Sequence, residues 1–188
     1  MENILDFIKV YKGAVSNELC DDIVNKYKDS DKFKLSETIG GLDTKIRNCY
    51  LLNLLDDKDI DGRLFKEQAI NINKYAEEFS NVSVEQDTGY GLLKYEEGGF
   101  YKEHVDHAPE LVRTVSCSII LNDDYEGGEF SFFGKEHIIK ASKGDVIMFP
   151  SNFVYRHEVL PVTKGTRYAI ITWFKLLFKI NSLYTMLY

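Results

Sequence analysis

Apolar positions in the first third of the chain recur at helical spacing. Ser16 or Asn17 precedes Glu18 and an apolar stripe of Leu19, Ile23, Val24 and Tyr27, which predicts a capped amphipathic helix. Gly40-Gly41 predicts a loop or turn. A second helix is predicted to start near Asp61, because Leu64, Phe65, Ile72, Tyr75, Ala76 and Phe79 recur on one face with Lys, Glu and Asn between them.

From about Val82 the pattern changes. Short runs rich in β-branched and aromatic residues alternate with Gly, Asp and Asn clusters. Strands are predicted at 89–95, 101–106, 114–121, 128–133, 137–141, 145–149, 157–160 and 167–174. Short strands joined by tight turns predict a double-sheet barrel, a jelly roll. Helices first and strands after predict that the helices pack on one sheet. The expected fold is therefore mostly β with flanking helices (α+β), a jelly-roll (double-stranded β-helix) core with N-terminal supporting helices. No internal repeat or linker is visible, so residues 1–188 are read as a single domain. Its helical part would cover about 1–81, its jelly-roll core about 82–175 and a tail 176–188.

Composition narrows the function. A length of 188 residues is enough for a hydrophobic core without disulfide or zinc staples. With 23 Lys+Arg against 30 Asp+Glu, the net charge of −7 argues against a nucleic-acid surface, which needs a basic patch. Cys20, Cys49 and Cys117 form no CxxC pair, which speaks against a zinc or redox motif and for a reducing compartment. MENILDFIKV lacks the basic start and long apolar run of a secretory signal. The most apolar stretch, 168–177, is interrupted by Lys175 before membrane-spanning length. The expectation is a cytoplasmic protein with no membrane partner. Few prolines and many Tyr, Phe, Lys, Asn, Ile and Asp suggest an AT-rich bacterial or viral genome. Residues 174–188 are expected to pack on the domain as a last strand and helix, with a dimer contact as the alternative. The oligomeric expectation is accordingly a monomer or homodimer.

The candidate chemistry starts from four histidines, His104, His107, His137 and His157. His104 and Asp106 form an H-x-D pair in a strand-like run, and residues two apart on a strand share a face. His157, in a later strand, offers a second imidazole. Two histidines and a carboxylate on one face of an ion leave three positions open, the arrangement that suits non-haem Fe(II). Arg167 follows His157 by ten residues. A hairpin register centred on Val162 would set the two directly opposite each other. A guanidinium there could anchor a carboxylate through its planar fork, which points to the chelating dicarboxylate 2-oxoglutarate. Lys164 is the rival anchor but falls in the expected turn.

Four segments carry a resemblance. They are Tyr95-Glu-Glu-Gly-Gly-Phe-Tyr101-Lys-Glu-His104-Val-Asp106; Ser118-Ile-Ile-Leu-Asn-Asp-Asp-Tyr-Glu-Gly-Gly-Glu-Phe130; Lys143-Gly-Asp-Val-Ile-Met-Phe-Pro-Ser151; and the run from His157 through Arg167 to Trp173. In this order and spacing the chain resembles the Fe(II)/2-oxoglutarate dioxygenases of the prolyl 4-hydroxylase-like superfamily over roughly residues 85–175. The resemblance implies iron binding by His104, Asp106 and His157. It implies 2-oxoglutarate contacts from Arg167 and Tyr95, and substrate contacts from Arg113, Tyr101 and Trp173. Fe(II), 2-oxoglutarate, O2 and ascorbate are the implied cofactors and co-substrates, and a proline-containing peptide or protein is the implied partner. Arg-Tyr-Ala-Ile-x-x-Trp is similar to the oxygen-sensing prolyl hydroxylases, whereas Ile120 and Ile171 depart from that branch, which has polar groups there. A free amino acid or other small molecule is the alternative substrate. A non-catalytic metal-binding or sensing module on the same barrel is the alternative from another class.

The remaining candidates are read as structural. His107 is expected in an exposed loop, His137 on a strand pair, Asp145 in a turn and Cys117 as a small buried hydrophobe. Gly127-Gly128 lacks the following Lys-Ser/Thr of a phosphate loop and is read as a hairpin turn.

Overall fold

The computed structural model describes residues 3–79, 84, 86–107 and 113–175. Its first strand, β1 (Lys9–Tyr11), leads to helix α1 (Asn17–Tyr27). Ser16 caps α1, its hydroxyl accepting the Leu19 N–H at 3.4 Å, and Leu19, Cys20 and Ile23 form the buried face. Strands β2 (Lys34–Leu35), β3 (Arg47–Asn48) and β4 (Tyr50–Asn53) come before helix α2 (Lys58–Glu78). This helix starts ahead of the expected Asp61, because the Asp57 carboxylate accepts the Ile60 N–H and caps it earlier. It buries Ile60, Leu64, Gln68, Asn71, Ile72 and Tyr75. Phe65, expected on that face, is 57% exposed, since it sits about 100° round the helix from Leu64. The expected helical first third is thus only partly helical. Strands of two to four residues are too short to show a period in sequence, yet β1 to β4 all join the sheets.

The remaining strands are β5 (Gln86–Asp87), β6 (Gly91–Tyr95), β7 (Phe100–His104), β8 (Val115–Ile120), β9 (Glu126–Gly127), β10 (Phe130–Phe132), β11 (His137–Ile139), β12 (Val146–Pro150), β13 (His157–Val159), β14 (Val162–Lys164) and β15 (Arg167–Lys175). The larger sheet runs β1-β12-β8-β15-β6-β4-β2, with β5 also paired to β15. The smaller runs β11-β10-β13-β7-β3, and β14 pairs with β9 as a separate ribbon.

Alternation along the strands divides the core in two. Val115, Cys117 and Ile119 of β8, with Tyr168, Ile170 and Phe174 of β15, pack against Leu19, Ile23, Leu64 and Tyr75 of the helices. Ile120, Ala169, Tyr95 and Phe149 instead pack with Phe130, Phe132 and Val159 of the smaller sheet. The larger sheet therefore lies between the helices and the smaller sheet. Its alternate residues Ser116, Ser118, Arg167 and Trp173 stand on the strand face that looks toward the smaller sheet. Residues 176–188, expected to form a last strand and helix, lie outside the described residues.

One expected pairing is not formed. His157 and Arg167 are not partners across a hairpin. His157 pairs with His104 on one side and Phe132 on the other, whereas Arg167 pairs with Tyr95 in the facing sheet. The chain between them turns a corner. Val162 pairs with Gly127, and its backbone also bonds Gly98 and Gly99. Only a residue without Cβ permits this approach, because a Cβ on Gly127 would lie 2.3 Å from the Pro161 carbonyl oxygen.

Candidate metal and co-substrate site

His104 ends β7 and His157 begins β13, so their pairing sets both imidazoles side by side, with ring centroids 4.2 Å apart. Each Nδ1 faces a backbone carbonyl, Lys102 O at 2.8 Å for His104 and Tyr155 O at 3.1 Å for His157. Donation from Nδ1–H to these carbonyls leaves both Nε2 lone pairs free to bind a metal. Asp106 completes the group. Its Oδ1 lies 3.8 Å from His104 Nε2 and its Oδ2 3.7 Å from His157 Nε2. One ligand atom from each of the three lies within 4.8 Å of the others.

Asp106 reaches this place differently from the sequence expectation. The strand ends at His104, so no strand pleat aligns Asp106 with it. A hydrogen bond from Ser116 Oγ at 2.6 Å fixes the carboxylate, and Ser116 Oγ also lies 2.8 Å from Ser151 Oγ. Arg113 Nη1 donates to the Asp106 backbone carbonyl at 3.2 Å.

Electrostatics favour metal-ready protonation states. Burial, and secondarily His157, push the His104 imidazole down to about 3, so it is neutral at physiological pH. Burial alone would raise the Asp106 carboxyl. The facing His157 and His104 and the Ser116 hydroxyl outweigh it and hold the carboxyl below its ordinary value. The Trp173 indole N–H also lowers the carboxyl by its hydrogen-bonding pull, although its Nε1 meets no hydrogen-bond geometry among the described residues.

Across a cavity of about 260 Å³, β6 and β15 present Tyr95 and Arg167 toward this cluster. Arg167 is 1% exposed. Its guanidinium lies 5.1 Å from the Tyr95 ring centroid and 6.0 Å from that of Phe130. Its Nε has no hydrogen-bond partner, and none of the ion pairs among the described residues includes it. Burial and the nearby Cys49 raise the Tyr95 phenol, against the pull of Arg167 and Arg47, so it stays a protonated donor.

Residues 90–175 match the family described as the 2OG-Fe(II) oxygenase superfamily. This segment belongs to that superfamily. A PKHD-type hydroxylase of Aliarcobacter butzleri is 41% identical over 93 residues, covering 43% of this chain and 40% of the relative. The chain thus matches less than half the length of such curated relatives. Two solved structures share the fold. A Pseudomonas putida prolyl-4-hydroxylase has a TM-score of 0.74 at 19% identity, with 93% of this chain and 97% of that one covered. A Trichoplax adhaerens prolyl hydroxylase, in complex with a hypoxia inducible factor peptide fragment, has a TM-score of 0.75 at 17% identity, with 91% and 85% covered.

The residues present fit the groups that the superfamily's name carries. Two imidazoles and one carboxylate are the donor set that suits Fe(II) with open positions. A buried guanidinium without a carboxylate partner costs several kcal/mol, which a bound anion such as 2-oxoglutarate would offset.

The sequence-predicted residues are therefore brought together, since His104, Asp106, His157, Tyr95, Arg167, Arg113, Tyr101 and Trp173 all line one cavity. Tyr101 stacks on His104 at 3.5 Å, and Arg113 covers Trp173 at 3.6 Å. Ser116 and Arg47 were missed. Ser116 occupies an unremarkable strand position, and Arg47 sits on a two-residue strand with no pattern of its own. Lys164, the rival anchor, pairs with Glu126 at the surface. His107 is exposed, Cys117 is fully buried and Asp145 ties a turn by accepting from Ser142 N and Gly13 N.

Proposed function

We propose that the chain is an Fe(II)- and 2-oxoglutarate-dependent dioxygenase that hydroxylates an unactivated C–H bond, as a prolyl 4-hydroxylase of a peptidyl proline. The single observation that carries the reading is the His104–Asp106–His157 cluster facing, across one cavity, the buried Arg167, which is in no ion pair among the described residues.

His104, Asp106 and His157 would hold iron. Arg167 would pair with the distal carboxylate of 2-oxoglutarate, and the protonated Tyr95 would donate a hydrogen bond to it. When bound, iron and 2-oxoglutarate supply the oxidising power that inserts one atom of O2 into a C–H bond, with release of succinate and CO2. The protein supplies orientation and a dry wall. Leu93, Phe130 and Val159 exclude water around the ligand atoms, and Tyr101, Arg113 and Trp173 would receive the substrate at the mouth. The peptide in the Trichoplax relative and the prolyl names of both structural relatives support a prolyl substrate. The reading places the enzyme in the cytoplasm as one domain. Its three cysteines are free and buried, and no described helix is long and apolar enough to cross a membrane.

The test is mass spectrometry of proline-containing peptides incubated with the chain, Fe(II), 2-oxoglutarate, ascorbate and O2. A gain of one oxygen on proline, absent without iron, is the expected result. Succinate without any modified proline across such peptides would refute the prolyl substrate while leaving the oxygenase class intact.

A further inference from the structure

The chain contains five arginines, Arg47, Arg63, Arg113, Arg156 and Arg167. The two outside the cavity are ion-paired, Arg63 with Asp22 at 2.7 Å and Arg156 with Glu103 at 3.5 Å. The three that line it, Arg47, Arg113 and Arg167, are in none of the ion pairs among the described residues. In a chain with an excess of acidic residues, this segregation calls for an explanation.

Arg167 has one in the co-substrate. Arg47 and Arg113 do not. Arg47 lies over the Tyr101 ring at 4.4 Å, and its donors reach only neutral partners, Cys49 Sγ at 3.4 Å and the Glu37 carbonyl at 3.0 Å. Arg113 lies over the Trp173 ring at 3.6 Å and donates to the Asp106 carbonyl. Each stack fixes the plane of a guanidinium, so its unused N–H edge is already oriented for a planar anion. Both arginines sit one contact from the metal cluster, through Tyr101 on His104 and through Asp106 itself.

The charge count agrees. The cavity lining holds three arginines against two carboxylates, Asp106 and Glu37, and Glu37 is exposed and ion-pairs with neither arginine. Fe(II) and the 2-oxoglutarate dianion cancel each other. A net positive charge is left at the place the substrate must enter. Electrostatic complementarity of this kind selects partners by charge.

We propose that Arg47 and Arg113 form a second anion cradle beside the metal cluster, and that the substrate selected there carries a carboxylate close to the hydroxylated carbon. The carboxylate can come from an acidic residue flanking a peptidyl proline or from a free amino acid, and the chemistry at the cradle is the same. This deepens the oxygenase reading and rests on it.

Trp173 is the single tryptophan of the chain, and under Arg113 its fluorescence reports on a ligand there. The full chain, loaded with Zn(II) and 2-oxoglutarate so that no turnover occurs, is titrated with two ligand pairs. One pair is end-capped proline peptides that differ only by Glu or Gln beside the proline. The other is L-proline and L-prolinamide. The carboxylate member of at least one pair is expected to bind about tenfold tighter, which is about 1.4 kcal/mol. Preference for the Glu peptide assigns the carboxylate to a flanking residue, and preference for L-proline assigns it to a free amino acid. Arg47→Gln and Arg113→Gln should each cut the preference to below about threefold, while Arg47→Lys and Arg113→Lys keep part of it because the charge remains. Equal affinities within both pairs, or a preference that survives in the double Gln variant, would overturn the cradle. A carboxylate preference in a protein that releases no succinate with Fe(II) would refute the oxygenase reading and leave the cradle standing.

Discussion

Ser116→Ala isolates the residue that positions Asp106. The Ser116 hydroxyl donates to Asp106 Oδ2 at 2.6 Å in a fully buried setting, and its other hydrogen-bond partner among the described residues is Ser151 Oγ at 2.8 Å. Alanine removes one oxygen and leaves the strand backbone and its pairing intact. A hydrogen bond to a charged group contributes about 1.5–3 kcal/mol. If the whole of it were lost from the metal-bound state, affinity would fall by roughly 10- to 150-fold. Oδ1 and the metal itself compensate in part, so the expected loss is about 10- to 100-fold, the range seen when groups behind metal ligands are removed. The assay is calorimetric titration with Mn(II), with circular dichroism to confirm the fold. Ser151→Ala is the graded control. It leaves the Asp106 bond in place, and its effect should stay below about threefold. Metal affinity of Ser116→Ala within twofold of the parent, in a folded protein, would refute the claim that this hydroxyl holds the ligand.

Other predictions follow from single contacts. Arg167→Gln should raise the KM for 2-oxoglutarate at least about 30-fold, since truncating one partner of a buried charge pair costs about 2–5 kcal/mol; steady-state kinetics check this, and an unchanged KM would contradict the anchor. Gly128 has φ +68, and a Cβ there would lie 2.9 Å from Arg167 Cδ. Gly128→Ala should therefore raise the same KM while Mn(II) affinity holds, and a drop in metal affinity alone would contradict this. Burial alone would raise the Asp145 carboxyl, but bonds from Lys12 Nζ, Ser142 N and Gly13 N outweigh it and hold the carboxyl below its ordinary value. Asp145→Asn should cost about 1–3 kcal/mol at pH 7 in urea denaturation. Because the folded-state value is depressed, the parent's advantage should persist above the ordinary carboxylate range and fade as pH falls through the depressed value. A gap that does not narrow in acid would contradict the assignment.

The strands that position the site were legible because each carries several β-branched or aromatic residues between turn residues. All eight predicted strands are present, displaced by at most two residues at an end. The His104–Asp106–His157 cluster was legible from H-x-D and the order of motifs, although the pleat invoked for Asp106 is absent and a serine fixes its carboxylate instead. Arg167 was identified through a hairpin register that the fold does not adopt. A spacing of ten residues fits a hairpin and a corner between sheets equally well, and only the Gly127–Pro161 approach decides between them. Arg47 was not legible at all. Its importance comes from a pairing with Tyr101 that spans more than fifty residues, and a two-residue strand has no period to read.

The central claim is that one iron-binding cluster and one arginine anchor convert 2-oxoglutarate to succinate. Succinate released from 2-oxoglutarate by the full chain under O2, with and without Fe(II), tests it most directly. The account predicts Fe(II)-dependent succinate in the parent and none above background in His157→Ala. Equal succinate from His157→Ala, or none from the iron-loaded parent, would contradict it.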